Sequence, residues 1–335
     1  MYRHARWLRP MAGMLPALLL LSNCSVNPAT GKQQVNFFSE AEEIEMGRQA
    51  DEEIVAQVGL YDDPEWQDYV EDLGQELAAE SERPNLPWSF KVLDDPAVNA
   101  FALPGGYVYV TRGILTHLES EAELATVLGH EIGHVTARHG VNQMSKRMLA
   151  VAGLEVAAVL SDVDDEWAAG VAALGVGLVF LQHGRDDERQ ADELGLRYSQ
   201  RVGFDLRESF QVFDLLDRAD KVEGAGRLPN WLATHPDPGA RRVRIQEKVA
   251  ALQASGIHFE GTRIGRDAYV ERLDGMVFGE DPKTLKVVRL KEAMTLEEFA
   301  QAYPSTVDLE ILALINHVDP GARLEAGMLV KRVVE

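Results

Sequence analysis

Cysteine is almost missing from this chain. Cys24 is the only one among 335 residues, so no internal disulfide can form and none contributes to the fold. Basic residues are scarce as well: 33 lysines and arginines stand against 54 aspartates and glutamates, a formal charge of -21. A surface with that balance repels polyanions, which excludes nucleic acid and anionic headgroups as partners. Long apolar runs are also lacking. The run from Met11 to Leu21 is too short to span a bilayer comfortably, and the apolar stretch 148–181 is broken by the acidic residues Asp162, Asp164, Asp165 and Glu166. That stretch reads as a buried or membrane-facing helical hairpin.

What the chain does have is enough apolar residue, 46%, to fill one large core or two smaller ones. Its start, with Arg3, Arg6 and Arg9 ahead of the apolar run, reads as an export signal over residues 1–23. Cys24 follows Leu21-Ser22-Asn23, which resembles the bacterial lipobox, whose cysteine is lipidated and becomes the mature N-terminus. Asn23 departs from the usual small residue, and an ordinary cleaved signal is the alternative. Ser25 in place of an aspartate points to the inner leaflet of the outer membrane.

From Asn27 to Lys32 the chain reads as a turn-rich tether, and from Ser39 the pattern turns helical. Ser39 with Glu42 makes a capping box ahead of Ile44, Ile54, Val55 and Val58. Asp63-Pro64 opens a second helix with Trp66, Tyr69, Val70, Leu73 and Leu77 on its core side. Residues 88–92 alternate like a strand, and Asn99, Ala100, Phe101 and Ala102 begin another, turned at Pro104-Gly105-Gly106 into Tyr107–Thr111. The fold class is α+β, mainly helical, with a small sheet whose edge could hold an extended peptide by strand addition.

The next helix carries the chemistry. In His130-Glu131-Ile132-Gly133-His134 the two histidines lie ~40° apart around the helix and one turn along, so both imidazoles can grip one ion. Glu131 sits on their flank, placed to take a proton from a water that the metal acidifies, the arrangement of zinc peptidases. Ser120 with Glu123 suggests a capping box, Gly140 a C-cap, and Gly129 with Gly133 a bare flank for a neighbouring helix. Catalytic zinc usually keeps three protein ligands and one open position, so a third is needed. Glu188 and Asp192 share a helix face at i and i+4, the first as ligand, the second as the outer carboxylate that fixes a histidine tautomer. A solvated acidic face is the alternative.

H-E-I-G-H between E-L-A-T-V-L-G and A-R-H-G, together with N-A-F-A-L-P-G-G and R-x-x-E-x-x-A-D-E-L-G, resembles metallopeptidase family 48, the relatives of HtpX and CAAX prenyl protease. C-S-V-N-P-A-T-G-K points to its periplasmic lipoprotein branch, similar to BepA and LoiP. The resemblance implies a gluzincin-type domain with one zinc ion per chain and strengthens Glu188 as its third ligand. Gln190 departs from a frequent glutamate in that motif. It also implies roles near the metal for His235 and Arg241 in T-H-P-D-P-G-A-R. His235 would stabilise the oxyanion or fill the open position in a resting state, and Arg241 would favour negative charge on the scissile carbonyl. His117, His139, His183, His258 and His317 lack ligand spacing and read as structural.

Beyond the peptidase domain, 24–260, come a linker over 261–284 and a module over 285–335. That module's strand, two helices, Asn316 and closing strand resemble a degenerate LysM module, with a peptidoglycan contact implied. The combined expectation is a zinc endopeptidase of the periplasm, lipid-anchored, clearing misfolded envelope or outer-membrane proteins. The alternatives are a zinc-binding, chaperone-like assembly factor with an occluded site and a peptidoglycan-associated binding protein.

Overall fold

The computed structural model describes residues 24–161, 183–219, 234–259, 261–279 and 283–335. Residues 1–23, expected to be an export signal, and residues 162–182, which hold the rest of the apolar stretch expected to form a hairpin over 148–181, lie outside the described residues. No helix among the described residues is long and apolar enough to cross a membrane.

The chain opens with a small hairpin, β1 (Cys24–Val26) and β2 (Gln33–Val35), then α1 (Glu40–Val58) and α2 (Pro64–Ala79). Ser39 and Glu42 form the expected reciprocal box at the start of α1, and Asp63 caps α2 ahead of its proline. Strands β3 (Ser89–Leu93), β4 (Ala100–Leu103) and β5 (Tyr107–Thr111) follow. Their spatial order is β3-β5-β4, with β3 parallel to β5 and β4 antiparallel to it, so β4 is an edge. Gly105 and Gly106 carry the turn with φ 84 and 106, values that need no side chain to accommodate.

Next come α3 (Arg112–His117), α4 (Glu121–Thr136), α5 (His139–Ser161), α6 (Arg185–Val202), α7 (Ser209–Ala219), α8 (Pro238–Ala254) and α9 (Arg266–Arg272). The C-terminal part has β6 (Val277–Phe278), β7 (Lys283–Arg289), β8 (Met294–Thr295), α10 (Leu296–Ala302), α11 (Leu309–Ile315), β9 (Arg323–Leu324) and β10 (Leu329–Val334). Strand β10 pairs antiparallel with β7, giving the strand–helix–helix–strand order expected beyond residue 285.

Among the described residues the larger of two buried clusters joins the sheet and helices of the first part to the C-terminal part. Val70 and Leu77 of α2, Phe90 of β3, Val108 of β5 and Leu128 of α4 belong to the same buried cluster as Phe299, Leu312 and Val330. Residues 261–284, expected to be a linker, carry α9 and β6 and bury Tyr269, Val270 and Leu273. The reason is specific: the Tyr269 hydroxyl donates to Leu115 O at 2.9 Å, and its ring sits edge-on to Trp66.

Candidate metal centre

Helix α4 is buried along almost its whole length. Ser120 Oγ accepts from Glu123 N at 3.2 Å, but the Glu123 carboxylate takes the N–H of Glu119 at 2.7 Å, so the cap is displaced by one residue from the expected box. The bare flank is used by α6. A Cβ on Gly195 would stand 2.8 Å from His130 N, and one on Gly129 would stand 3.1 Å from Gly195 Cα. Only glycines allow the two backbones this close, and that approach carries the side chains of α6 over the α4 histidines.

Four side chains converge: His130, His134, Glu188 and His235, all buried, each offering a donor atom within 4.8 Å of the others. The Nε2 atoms of His130 and His134 are 3.0 Å apart, and Glu188 Oε1 lies 3.3 Å from His134 Nε2 while Oε2 lies 3.6 Å from His130 Nε2. Two donors at ~2.1 Å from one tetrahedral ion stand roughly 3.4 Å apart, so this spacing fits a divalent cation. The electrostatics agree. Burial, with His183 alongside, holds His134 well below the ordinary imidazole value, hence neutral with a lone pair to give. Burial alone would raise Glu188, but His235 and Arg241 outweigh it and keep the carboxylate ionised. Glu131 is 1% exposed, and its Oε1 has no hydrogen-bond partner among the described residues. A buried carboxylate oxygen left without a donor marks a place where a donor arrives from outside the chain.

Asp192 and Arg241 stand behind these groups. Asp192 Oδ1 is 3.0 Å from His130 Nδ1, which leaves His130 Nε2 as the lone-pair nitrogen facing the centre. Arg241 is fully buried: it grips Asp192 through Nε at 3.1 Å and Nη2 at 2.5 Å and reaches Glu188 Oε2 at 2.6 Å through Nη1. It stacks 4.6 Å over the Phe213 ring and is absent from the cleft lining. Its donors are turned to the two carboxylates of α6, with Nη2 also 3.1 Å from His130 Nδ1, so Arg241 stands behind the cluster and outside the cleft. His235 does face inward, with Nδ1 at 3.2 Å from His130 Nε2 and 3.0 Å from Glu188 Oε1, and Nε2 at 3.6 Å from Glu131.

The cleft beside these residues is lined by Phe101, Ala102 and Leu103 of β4 and by Glu131, His134 and His235. Thr111 N donates to Asn99 O, so in the antiparallel ladder Asn99, Phe101 and Leu103 bond to β5. The N–H and C=O of Ala100 and Ala102 consequently point away from β5; Ala102 lines the cleft, whereas Ala100 is fully buried. Cys24 heads β1, opposite Val35.

Two histidines read as structural sit at the centre after all. His139 Nδ1 is 3.0 Å from His134 Nδ1, and the His183 ring centroid is 3.9 Å from that of His134. Helical spacing hid His139, because α4 stops at Thr136 and Arg138 turns left-handed at φ 61, breaking the wheel before His139 is reached. That turn is held by Arg138 donating to Phe38 O at 2.6 Å and pairing with buried Glu43, so Gly140 is not the cap. No local signal in the sequence marks Arg138 as left-handed.

Two helical histidines, a carboxylate from a second helix and a buried glutamate beside an edge strand define a metallopeptidase centre. Comparison with known proteins narrows the class. The family model described as "Peptidase family M48" matches residues 64–249, and the chain belongs to that family. It is 32% identical over 312 residues to the beta-barrel assembly-enhancing protease of Yersinia pestis, covering 89% of this chain and 61% of that one. It is 29% identical to the Escherichia coli K12 protein of the same name over 235 residues, 68% of this chain and 47% of that one. It is 32% identical to the mitochondrial metalloendopeptidase OMA1 of Arabidopsis thaliana over 191 residues, 56% of this chain and 37% of that one. The chain thus spans less than two thirds of the length of each.

Proposed function

We propose that this protein is a zinc-dependent endopeptidase of the bacterial cell envelope that hydrolyses misfolded or misassembled outer-membrane and periplasmic proteins. The observation that carries the reading is the convergence of His130, His134 and Glu188 beside the buried Glu131 carboxylate, whose Oε1 lacks a hydrogen-bond donor among the described residues, and the edge of β4. His130, His134 and Glu188 would hold the ion, which supplies Lewis acidity, lowering the pKa of water and polarising a carbonyl. Glu131 takes the proton of the attacking water and hands it to the departing amine. The edge of β4 at Ala102 receives an extended polypeptide as an added strand, a geometry open to unfolded segments because the Ala102 backbone groups point away from β5 beside the cleft. The names of the Yersinia and Escherichia relatives support a role in envelope quality control.

Cys24 as a lipid anchor at the inner leaflet of the outer membrane belongs to the same proposal, supported by the sequence that precedes it. So does the LysM-like reading of 285–335, supported by its order of elements; cell-wall sedimentation of the purified protein tests its peptidoglycan contact. For the activity, the test is cleavage of an unfolded polypeptide by protein lacking residues 1–23. Zinc-dependent cleavage abolished by Glu131→Gln is expected; no cleavage under any metal condition overturns the reading.

His235 favours a second reading, a chaperone-like assembly factor with a self-occluded site, since its ring lies within the donor cluster itself. His235→Ala separates the two. Faster turnover identifies a resting-state plug, and slower turnover identifies a group that stabilises the transition state.

A further inference from the structure

The tether after Cys24 is docked, and it ends in a directed chain of hydrogen bonds that terminates on His134. The direction starts from the backbone. Asn27 Oδ1 accepts the N–H of Ala29 at 2.9 Å and of Thr30 at 3.2 Å, which only the oxygen of a side-chain amide can do. Its Nδ2 therefore donates, with Ala137 O at 3.3 Å and the Oε1 atoms of Gln190 and Gln34, each at 3.4 Å, as its acceptors. Gln190 turns its oxygen toward that donor, and the same oxygen lies 3.0 Å from His139 Nε2, where it accepts. A neutral histidine protonated on Nε2 keeps its lone pair on Nδ1. That atom faces His134 Nδ1 at 3.0 Å, which makes His134 the donor there and leaves its Nε2 as the lone-pair nitrogen aimed at the centre.

We propose that His139 is a positioning residue that fixes the Nδ1-protonated form of His134, and that Gln190 and Asn27 set its direction. The segment following Cys24 is then part of the support of the metal centre. The two ligand histidines are held differently: Asp192 touches His130 directly, whereas His134 is reached through His139, which has Gln190 at 3.0 Å and the Asp187 carboxylate at 3.7 Å from its Nε2. Asn27 and His139 are both buried, 6% and 3% exposed, with the half-buried Gln190 between them. The inference rests on His134 being a ligand.

The test uses the full chain in detergent, stripped of metal and titrated with zinc against a chromophoric chelator. Long-range proton–nitrogen NMR spectra of the imidazoles are recorded on the same zinc-free samples. Wild type is expected to bind one zinc, and His139→Phe and Gln190→Leu to bind it about 10- to 100-fold more weakly, the usual effect of removing a ligand's outer partner. Gln190→Glu, which still only accepts, is expected to stay within about threefold of wild type. In the spectra His134 is expected protonated on Nδ1 in wild type and in Gln190→Glu, and mixed in Gln190→Leu. Should His139→Phe fail to fold, the contrast between leucine and glutamate at 190 decides. Unchanged zinc affinity and tautomer in Gln190→Leu overturn the proposal. So does a second zinc per chain lost in His139→Phe, because His134, His139 and His183 would then be a separate metal cluster. A wild type that binds no zinc refutes instead the reading of the centre itself.

Discussion

Arg241 shows at the residue scale how much of the centre is held from outside the ligands. Its guanidinium sits between Asp192 and Glu188 with no exposure to solvent. Replacing it by methionine strands two buried carboxylates, so Arg241→Met is expected to cost the zinc-free protein about 3–5 kcal/mol in urea unfolding. A loss under about 1 kcal/mol would mean that the carboxylates find other donors. His130, Glu131 and His134 were legible because helical spacing is a property of the backbone. Glu188 and Asp192 were legible as a pair sharing a face. The direction of Arg241 was not, since it depends on α8 packing its first turn against α7, where Phe213 lies under the guanidinium, a tertiary fact. His139 was hidden by a left-handed arginine that no sequence rule anticipates.

Between elements, the decisive contact is the approach of α6 to α4. Gly195→Ala puts a methyl within 2.8 Å of His130 N and 2.9 Å of Gly129 C, both backbone atoms that cannot step aside. The helices must separate, which is expected to destabilise the protein by about 1–3 kcal/mol and to weaken zinc binding by drawing Glu188 away from the histidines. Unaltered affinity in a chelator competition would show that the ligand set tolerates a shift of α6. The edge strand gives a second prediction. Ala102→Pro removes an N–H that points away from β5, a position where an edge strand accepts proline. It is expected to raise KM for an unfolded substrate by about tenfold, one to two strand-addition hydrogen bonds, with a smaller change in kcat. Equal KM values would exclude β4 as the substrate strand. The strands and their glycine turn were readable from alternation and Pro104-Gly105-Gly106. That β4 lies at the edge was not, because β3 and β5 pair in parallel across it in the sequence.

For the whole molecule, the C-terminal part clamps the corner where α3 leads into α4. Lys331, fully buried on β10, donates to Leu118 O at 2.8 Å and Thr116 O at 3.2 Å and pairs with Glu119 at 3.0 Å. His317 Nε2 meets His117 O at 2.8 Å, and its Nδ1 meets Glu123 at 3.3 Å. A lysine in a closing strand reads as a solvent-facing charge, so this clamp was invisible in sequence. Its pH dependence has two sides. For His317 burial works against the charged form, but Glu123 and Glu119 outweigh it and raise the value above the ordinary 6.5. That contribution is complete below 6.5 and is lost as pH rises through the raised value. For Glu119 burial opposes the charge, but Lys331, Arg266 and His317 bring it below 4.5, so its contribution is complete above 4.5 and is lost as pH falls. The difference in Tm between wild type and His317→Gln is therefore expected to be greatest at about pH 5–6 and to shrink toward pH 9. A difference that does not vary with pH would leave His317 without an ionic role.

The claim that bears the most weight is that side chains of two helices meet on one divalent ion. Zinc content and cleavage of an unfolded polypeptide, measured together on wild type and Glu188→Gln lacking residues 1–23, test it most directly. One zinc per wild-type chain with cleavage, and loss of both in Glu188→Gln, is the expected result. Zinc retained and cleavage unchanged in Glu188→Gln would contradict it.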